Sequence, residues 1–144
     1  MTEPDVTRMI ECYRGVVHPW LCDAMGHMTT RHYVGMFDDA GYHLLAALGF
    51  TASHIDNGIG FADVKHVITY KAELRVGALL LIRCGLLRVG ERSMTALYRM
   101  ESLETGETAA EMEVVMVQFD LKRRQSIPVV PEIRAKAEAM LTAG

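Results

Sequence analysis

The sequence predicts an α+β fold in which a five-stranded antiparallel sheet curls around one long helix. Two observations lead to this prediction. Apolar residues recur every three or four positions over one segment of about five turns, which is typical of a helix. Over several other segments they recur at every second position, which is typical of strands. A sheet cannot leave the apolar stripe of such a helix in water, so the sheet must curl around it.

Length and composition set the limits of this fold. With 144 residues, of which 50% are hydrophobic and 23% charged, the chain is long enough to bury a core without metal or disulfide. We expect one domain over residues 1–144, with its core in 12–130 and a C-terminal helix over 131–141. No apolar run approaches the roughly 20 residues that cross a bilayer, and no secretory signal is visible. A net charge of −3 removes the electrostatic argument for nucleic-acid binding. We therefore expect a cytoplasmic protein with no membrane or nucleic-acid partner.

The first strand is predicted over Cys12–Trp20. Its even positions hold the apolar residues Cys12, Val16 and Trp20, although two polar side chains interrupt the pattern. A glycine-containing turn over residues 23–27 follows, and beyond it the spacing of the apolar residues changes from two to three and four.

The long helix follows that turn. Thr29 or Thr30 can cap it, and Gly49 can end it. Gly35 and Gly41 lower its helix propensity by about 1 kcal/mol each, so we expect close packing against the helix at these positions. Its apolar stripe consists of Tyr33, Phe37, Ala40, Leu44 and Leu48.

Four long strands are predicted after the helix. Three of them alternate apolar and polar residues, whereas Ala78–Val89 is apolar on both faces, as expected of a central strand. Short turns containing Gly77, Gly90 and Gly106 separate them and predict an antiparallel meander. One helix cannot cover so much apolar surface, so we expect a second subunit to cover the rest.

Several common cofactor sites have no counterpart in the sequence. The chain contains no glycine-rich phosphate loop and no HExxH motif, and His27 and His32 do not share a helix face. We therefore expect no bound metal and no cofactor. Cys12, Cys22 and Cys84 form no CxxC pair and are predicted to be reduced thiols packed as small hydrophobic residues.

The turn before the long helix carries the strongest indication of catalysis. Asp23 lies a few residues before a helix N-terminus, where the first amides lack partners and carry partial positive charge. Amides near Thr30 can stabilise the oxyanion formed from a carbonyl, while a carboxylate attacks it or activates water. Gly26 allows the backbone to approach a ligand closely. The alternative is that Asp23 only caps the helix.

The residues around this turn form a motif that resembles a known family, the acyl-CoA thioesterases of the hotdog fold. The similarity is greatest to the 4-hydroxybenzoyl-CoA thioesterase-like group and extends over nearly all of residues 12–130. The motif reads Asp23-x-x-Gly26-His27-Met28, then Tyr33, then Phe37-x-Asp39-Ala40.

The resemblance implies that the protein hydrolyses an acyl-CoA thioester to free acid and coenzyme A. Asp23 takes the place of the catalytic carboxylate, and the amides near Thr30 take the place of the oxyanion donors. It further implies a homodimer or homotetramer with the site at the subunit interface, and no cofactor beyond the coenzyme A of the substrate. The motif also resembles the betainyl-CoA thioesterase domain joined to carnitine dehydrogenases, which has Asn where this chain has Met25.

Other polar residues are candidates for the same site. His27 can orient Asp23 or touch the thioester. Asp38 or Asp39 is an alternative catalyst, because a second hotdog branch uses a carboxylate on the helix. His66 lies on the apolar face of its strand and is either a core histidine or a substrate contact.

Aromatic and basic residues are candidates for substrate binding. Trp20, Tyr33 and Phe37 can line an acyl pocket, or even hold a quaternary ammonium group by cation–π contact, or else belong to the core. Arg92 and Arg123 follow predicted strand ends and can bind the phosphates of coenzyme A, or else lie on a solvated face.

Two other functions remain open from the sequence. The first is a hotdog hydratase or dehydratase that acts on acyl thioesters, which would use a differently spaced histidine and acid. The second is a binding module that holds an acyl-CoA without hydrolysing it. Hydration of an enoyl-CoA distinguishes the first from a thioesterase, and tight binding without thiol release distinguishes the second.

Overall fold

The computed structural model describes residues 8–141 of the chain. Three helices and six strands follow one another there, and the 3-10 turn Pro19–Leu21 comes between the first strand and the first helix. In chain order the elements are β1 Ile10–Val16, α1 Thr30–Ala47, α2 Ala52–Asp56, β2 Ile59–Tyr70, β3 Leu79–Val89, β4 Ser93–Ser102, β5 Thr108–Asp120, β6 Gln125–Ser126 and α3 Pro131–Ala139. Residues 1–7 and 142–144 lie outside the described residues, so a single domain over 1–144 stays a prediction.

The strands form one antiparallel sheet in the order β1-β3-β4-β5-β2, and the short β6 pairs with β5. This confirms the predicted five-stranded sheet and the meander of β3, β4 and β5. The prediction was wrong for β2, which pairs with β5 and not with β3. Residues 71–78 do not form a tight turn but cross the end of the sheet. There Met28 N–H donates to the Leu74 carbonyl at 2.8 Å, and Val76 N–H donates to the Gly26 carbonyl at 3.0 Å.

The sheet curls around α1 as predicted. All five residues of the predicted apolar stripe are buried, and α1 packs mainly on β1 and β3. Gly41 allows a close approach, because a β-carbon there would lie 3.2 Å from the Tyr98 hydroxyl. The same expectation was wrong for Gly35, which has open space beside it.

Two predicted boundaries need correction, and two elements were missed. The first strand ends at Val16 and not at Trp20, because Pro19 opens a 3-10 turn and has no N–H for a strand ladder. The C-terminal helix ends at Ala139 and not at residue 141. The sequence analysis also missed α2 and β6, which are too short to show a period.

Strand β2 forms one edge of the sheet and is largely exposed. Val64 is 61% and Val67 48% exposed in the single chain. The edge therefore presents apolar side chains and unpaired backbone groups together. None of the described helices is long and apolar enough to cross a membrane.

Candidate active site

Asp23 opens the tight turn that leads from the 3-10 turn towards α1. Its Oδ1 accepts hydrogen bonds from the backbone N–H of Met25 at 2.9 Å and of His27 at 3.4 Å. Gly26 N–H donates to the Asp23 carbonyl at 3.0 Å, and Gly26 has a φ of +80°, which favours glycine. Asp23 therefore holds its own turn and does not cap α1, so the capping alternative was wrong. Its side chain stays exposed beside the turn.

The N-terminus of α1 follows seven residues later and carries free donors. Thr29 occupies the N-cap position, but its side chain makes no capping hydrogen bond. Within residues 8–141 the amides of Thr30 and Arg31 consequently have no acceptor. These two amides point out of the first turn of an 18-residue helix, where the helix dipole favours negative charge.

The turn and the helix start border one cavity of about 400 Å³. Asp23, His27, Thr30 and Tyr33 all line it, so four of the residues singled out in the sequence lie together. The opposite wall is formed by residues 70–73, which continue from the end of β2. Asp23 and Thr30, whose amide is free, thus line one space large enough for a small acyl group.

His27 has one bonded and one unbonded ring nitrogen. Its Nε2 lies 3.2 Å from a carboxylate oxygen of Glu73. Its Nδ1 is buried and has no hydrogen-bond partner within the described part of the chain. A buried nitrogen without a partner is costly, and Glu73 holds the ring through the other nitrogen.

Tyr33 and Tyr70 form the floor of this cavity. Their rings meet edge to face with centroids 5.1 Å apart, and burial raises the pKa of Tyr33 above its ordinary value. The sequence analysis missed the wall over residues 70–73, because Lys71 and Glu73 had the alternation expected of a solvent-facing side. Only the crossing of 71–78 over the sheet end brings these residues to the site.

Lys71 is fixed next to the cavity by Glu111. The Glu111 carboxylate bonds to Lys71 and accepts a hydrogen bond from Arg99 Nε at 3.0 Å. Burial alone would raise the pKa of Glu111, but these two cations outweigh it and hold that pKa below its usual value. The end of β2 is thereby tied to β4 and β5.

A second, larger cavity of about 410 Å³ lies further along α1 and β2. Phe37, Asp38 and Tyr42 of α1 line one side of it, and Phe61, Asp63 and His66 of β2 line the other. His66 Nε2 lies 2.9 Å from Asp63 Oδ2, across a bulge in β2. His66 is exposed, so the alternative of a core histidine was wrong.

Asp38 and Asp39 differ in their surroundings. Asp38 lines the larger cavity, whereas Asp39 lines neither cavity and lies near Tyr13 of β1. Neither residue borders the amides at the start of α1. Their roles as alternative catalysts stay untested predictions.

Trp20 lies apart from both cavities in the single chain. It is 73% exposed and stacks on His18 with ring centroids 4.4 Å apart. The alternative that Trp20 belongs to the core was therefore wrong, whereas Phe37 is fully buried. A role for Trp20 in an acyl pocket stays a prediction.

Arg92 and Arg123 lie at the end of the sheet opposite to Asp23. Arg92 donates to the Ser126 carbonyl at 2.7 Å, and Arg123 is exposed in the turn after β5. Residues 71–78, which contact the Asp23 turn, lie at the far end of β2. Within one chain the structure does not bring these arginines to Asp23.

None of the three cysteines lines the smaller cavity. Cys12 and Cys84 are buried, and burial raises the pKa of the Cys84 thiol. Cys22 is half-buried, with its Sγ 3.6 Å from the His18 carbonyl. Residues 8–141 hold no group of three or more histidine, cysteine or carboxylate side chains arranged to bind a metal.

Comparisons with known proteins identify the family of the chain. The sequence profile of the thioesterase-like superfamily matches residues 17–137. An L-carnitine dehydrogenase/betainyl-CoA thioesterase of Rhizobium meliloti is 28% identical over 114 residues, which cover 79% of this chain and 23% of that protein. The chain thus spans about a quarter of the length of that relative.

Solved structures share the fold. The protein SAV2348 of Staphylococcus aureus, solved in complex with CoA, has a TM-score of 0.85 at 15% identity, covering 94% of this chain and 87% of that one. A gentisyl-coenzyme A thioesterase has a TM-score of 0.74 at 26% identity, covering 85% and 98%. The curled sheet around a long helix is therefore the hotdog fold of these proteins.

Proposed function

The chain belongs to the thioesterase-like superfamily, and from this we propose that it hydrolyses an acyl-CoA thioester to the free acid and coenzyme A. One observation carries the proposal. Asp23 and Thr30, whose backbone amide is free at the start of α1, border the same cavity.

The reaction uses the two groups for different tasks. The thioester carbonyl oxygen accepts hydrogen bonds from the amides of Thr30 and Arg31, which stabilise the oxyanion as it forms. Asp23 takes a proton from a water molecule while the water oxygen attacks the carbonyl carbon, or it attacks that carbon itself. On the first route the carbon–sulfur bond then breaks, the free acid is released, and the coenzyme A thiolate takes up the proton that Asp23 removed from water. On the second route the same bond breaks to leave a mixed anhydride on Asp23, which water hydrolyses to the free acid and the Asp23 carboxylate, and a proton from that water goes to the thiolate.

Hydrogen bonding supports this role for Asp23. Its Oδ1 is occupied by the amides of Met25 and His27, so the carboxylate is held in one orientation while Oδ2 has no partner in the described chain. The backbone amide of His27 thus contacts Asp23, while its ring Nε2 contacts Glu73 and its Nδ1 is buried. We assign His27 a positioning role.

A second copy of the chain completes the site. The exposed edge of β2, with Val64 and Val67, fits the same edge of a partner in antiparallel pairing. A two-fold axis at the middle of β2 puts the start of the partner's strand beside the end of this one. The partner's Arg92 and the partner's Arg123 then reach the end of the sheet that holds Asp23, where they can bind the phosphates of coenzyme A.

Thiol release from a panel of short, branched, aromatic, long-chain and betainyl acyl-CoAs tests the function. We expect Asp23→Asn to lower turnover by about 10²–10⁴-fold, the range for losing a positioned acid–base group. Asn keeps the oxygen that accepts the Met25 amide, so the turn survives. Asp56→Asn is the control, because Asp56 is exposed at the end of α2 and lines neither cavity, and it should retain turnover close to that of the wild type.

Equal turnover in a folded Asp23→Asn variant would contradict the role of Asp23. If Asp38→Asn or Asp39→Asn lost turnover instead, the catalytic role would be assigned to a carboxylate of α1. Hydration of an enoyl-CoA without thiol release would identify a hydratase. Tight binding without either reaction would identify a binding module.

A further inference from the structure

We propose that Glu73 is a positioning residue of the reaction, which fixes the Asp23 carboxylate through His27 by holding the imidazole ring in one tautomer. This inference rests on the proposed thioesterase function and deepens it, because it adds a second carboxylate, from outside the catalytic turn, to the residues that act at the same site. Its basis is the way in which the Asp23 turn is joined to the segment that crosses the end of the sheet.

Backbone pairing places Glu73 next to the His27 ring. His27 and Arg75 face each other in an isolated antiparallel bridge, with a backbone hydrogen bond on either side of it. Glu73 comes two residues before Arg75, so it is the diagonal neighbour of His27, which a long side chain can reach. The Nε2 atom of His27 accordingly lies 3.2 Å from Oε2 of Glu73, and both residues line the smaller cavity.

This contact selects one tautomer of the His27 ring. An ionised carboxylate only accepts hydrogen bonds, so Nε2 carries the ring proton that points to Glu73. Nδ1 is buried and has no partner within the described residues, and a second proton placed there would bury a charged donor without an acceptor. Glu73 therefore holds the His27 ring with its proton on Nε2 and none on Nδ1, since the bond made by one ring nitrogen sets the state of the other.

His27 transmits this restraint to Asp23 through the backbone of the turn. Asp23 N–H donates to the His27 carbonyl at 2.9 Å, and His27 N–H donates to Asp23 Oδ1 at 3.4 Å. The second bond is longer than usual, so a small displacement of His27 breaks it. The Asp23 carboxylate would then keep only the Met25 amide as a donor and would be free to rotate about it.

The segment that carries Glu73 is held from its other side. Lys71 is bonded to Glu111, which also accepts a hydrogen bond from Arg99. Lys71 is thus engaged by another carboxylate, and the partner of Glu73 in the described part of the chain is His27. The Glu73 side chain is 75% exposed, so its ion pair adds little to the stability of the fold. We therefore expect its loss to change catalysis and to leave unfolding by urea nearly unchanged.

Turnover separates positioning from a direct contact with the substrate. We expect Glu73→Ala to lower kcat for the best acyl-CoA of the panel by about tenfold or more, because a misplaced catalytic group is costly. KM should change by less than about threefold. Arg75→Ala is the matched control and should keep the kcat of the wild type, because Arg75 is exposed on the same segment, pairs with His27 and lines neither cavity. A raised KM at unchanged kcat in Glu73→Ala would contradict the positioning role and indicate a substrate contact.

A double-mutant cycle tests whether Glu73 acts through His27. In a His27→Ala background, Glu73→Ala should lower kcat by less than about twofold, because the group through which it acts is already gone. Glu73→Gln is the conservative variant and should recover most of the lost turnover, since its amide oxygen still accepts a hydrogen bond from Nε2. An undiminished loss in the His27→Ala background would overturn the proposal, because Glu73 would then act without His27.

Nuclear magnetic resonance separates this proposal from the proposed function, because it needs no substrate. Nitrogen shifts of the His27 ring report its tautomer, and we expect the proton on Nε2 in the wild type and a mixture of tautomers in Glu73→Ala. The amide resonances of Met25 and His27, which bond to Asp23 Oδ1, should shift in Glu73→Ala and much less in Arg75→Ala. A ring that keeps one tautomer in Glu73→Ala would overturn the positioning role, whether or not thiol is released. The expected tautomers and amide shifts without any thiol release by the wild type would reject the thioesterase and support the link between Glu73 and the Asp23 turn.

Discussion

Two aspartates hold similar turns at opposite ends of the sheet. Asp23 Oδ1 accepts the amides of Met25 and His27, and Asp120 Oδ1 accepts those of Lys122 and Arg123 at 2.9 and 3.0 Å. In both turns the carboxylate takes the place of a backbone acceptor, which is a common use of aspartate. Local hydrogen bonding therefore does not distinguish the two.

Their surroundings distinguish them. The backbone amides of Arg123 and Lys122 lower the pKa of Asp120, with smaller help from their side-chain charges, and Asp120 lines neither described cavity. Asp23 lines a cavity that is also lined by Thr30, whose amide at the start of α1 is free. An aspartate in a turn is therefore a candidate catalyst when a second element, here the N-terminus of α1, lines the same cavity.

Mixed dimers give the largest expected effect and test whether the two ends meet across an interface. One chain carries Asp23→Asn and the other carries Arg92→Ala with Arg123→Ala. If each site takes its carboxylate from one copy and its arginines from the other, the mixed dimer keeps one intact site. We expect at least about 10²-fold more thiol release than from the Asp23→Asn homodimer.

The arginine variant serves as the control for this experiment. Its homodimer should show a raised KM for acyl-CoA and a sensitivity to salt that is smaller than that of the wild type. If the mixed dimer shows only the average of the two homodimers, the arginines act within their own chain or not at all.

A smaller effect, on the free energy of unfolding, is expected from substituting the residue with positive φ in each turn. Gly26→Ala should lower the free energy of unfolding by about 1–2 kcal/mol, because φ is +80° and no other atom lies within 4 Å of the added carbon. Arg124 has a φ of +59° and lies over the Phe119 ring at 5.1 Å. In Arg124→Gly, relief of strain opposes loss of that contact, so we expect a net change below about 1 kcal/mol. Urea unfolding measures both, and a neutral Gly26→Ala would show that the turn adapts.

The smallest effect is the acid dependence of stability at the Asp120 turn. Because the folded pKa of Asp120 lies below its usual value, its charge stabilises the fold above the unfolded pKa of about 4. This contribution is lost as the pH falls through the lower folded value. Asp120→Asn should therefore be slightly less stable than the wild type at neutral pH and equal to it near pH 2. A difference that persists in acid would assign the effect to hydrogen bonding and not to charge.

The sequence by itself determined the local features of this protein. The three-and-four spacing from Tyr33 to Leu48 predicted α1, since a helix must bury the face on which these positions recur. Turns at Gly90 and Gly106 predicted the pairing of β3, β4 and β5, because short connections join neighbouring antiparallel strands. The Asp23 turn was visible because the hydrogen bonds of the Asp23 side chain all lie within a few residues.

The tertiary structure decided the features that depend on distant contacts. The pairing of β2 with β5 followed from the path of residues 71–78 across the sheet end, which no local spacing encodes. The same crossing built the second wall of the smaller cavity. Trp20 and Phe37 read alike as apolar residues in the sequence, yet one is exposed and the other buried. The chemistry of a side chain determines whether it favours burial, but the chain segments that pack against it determine whether it is buried.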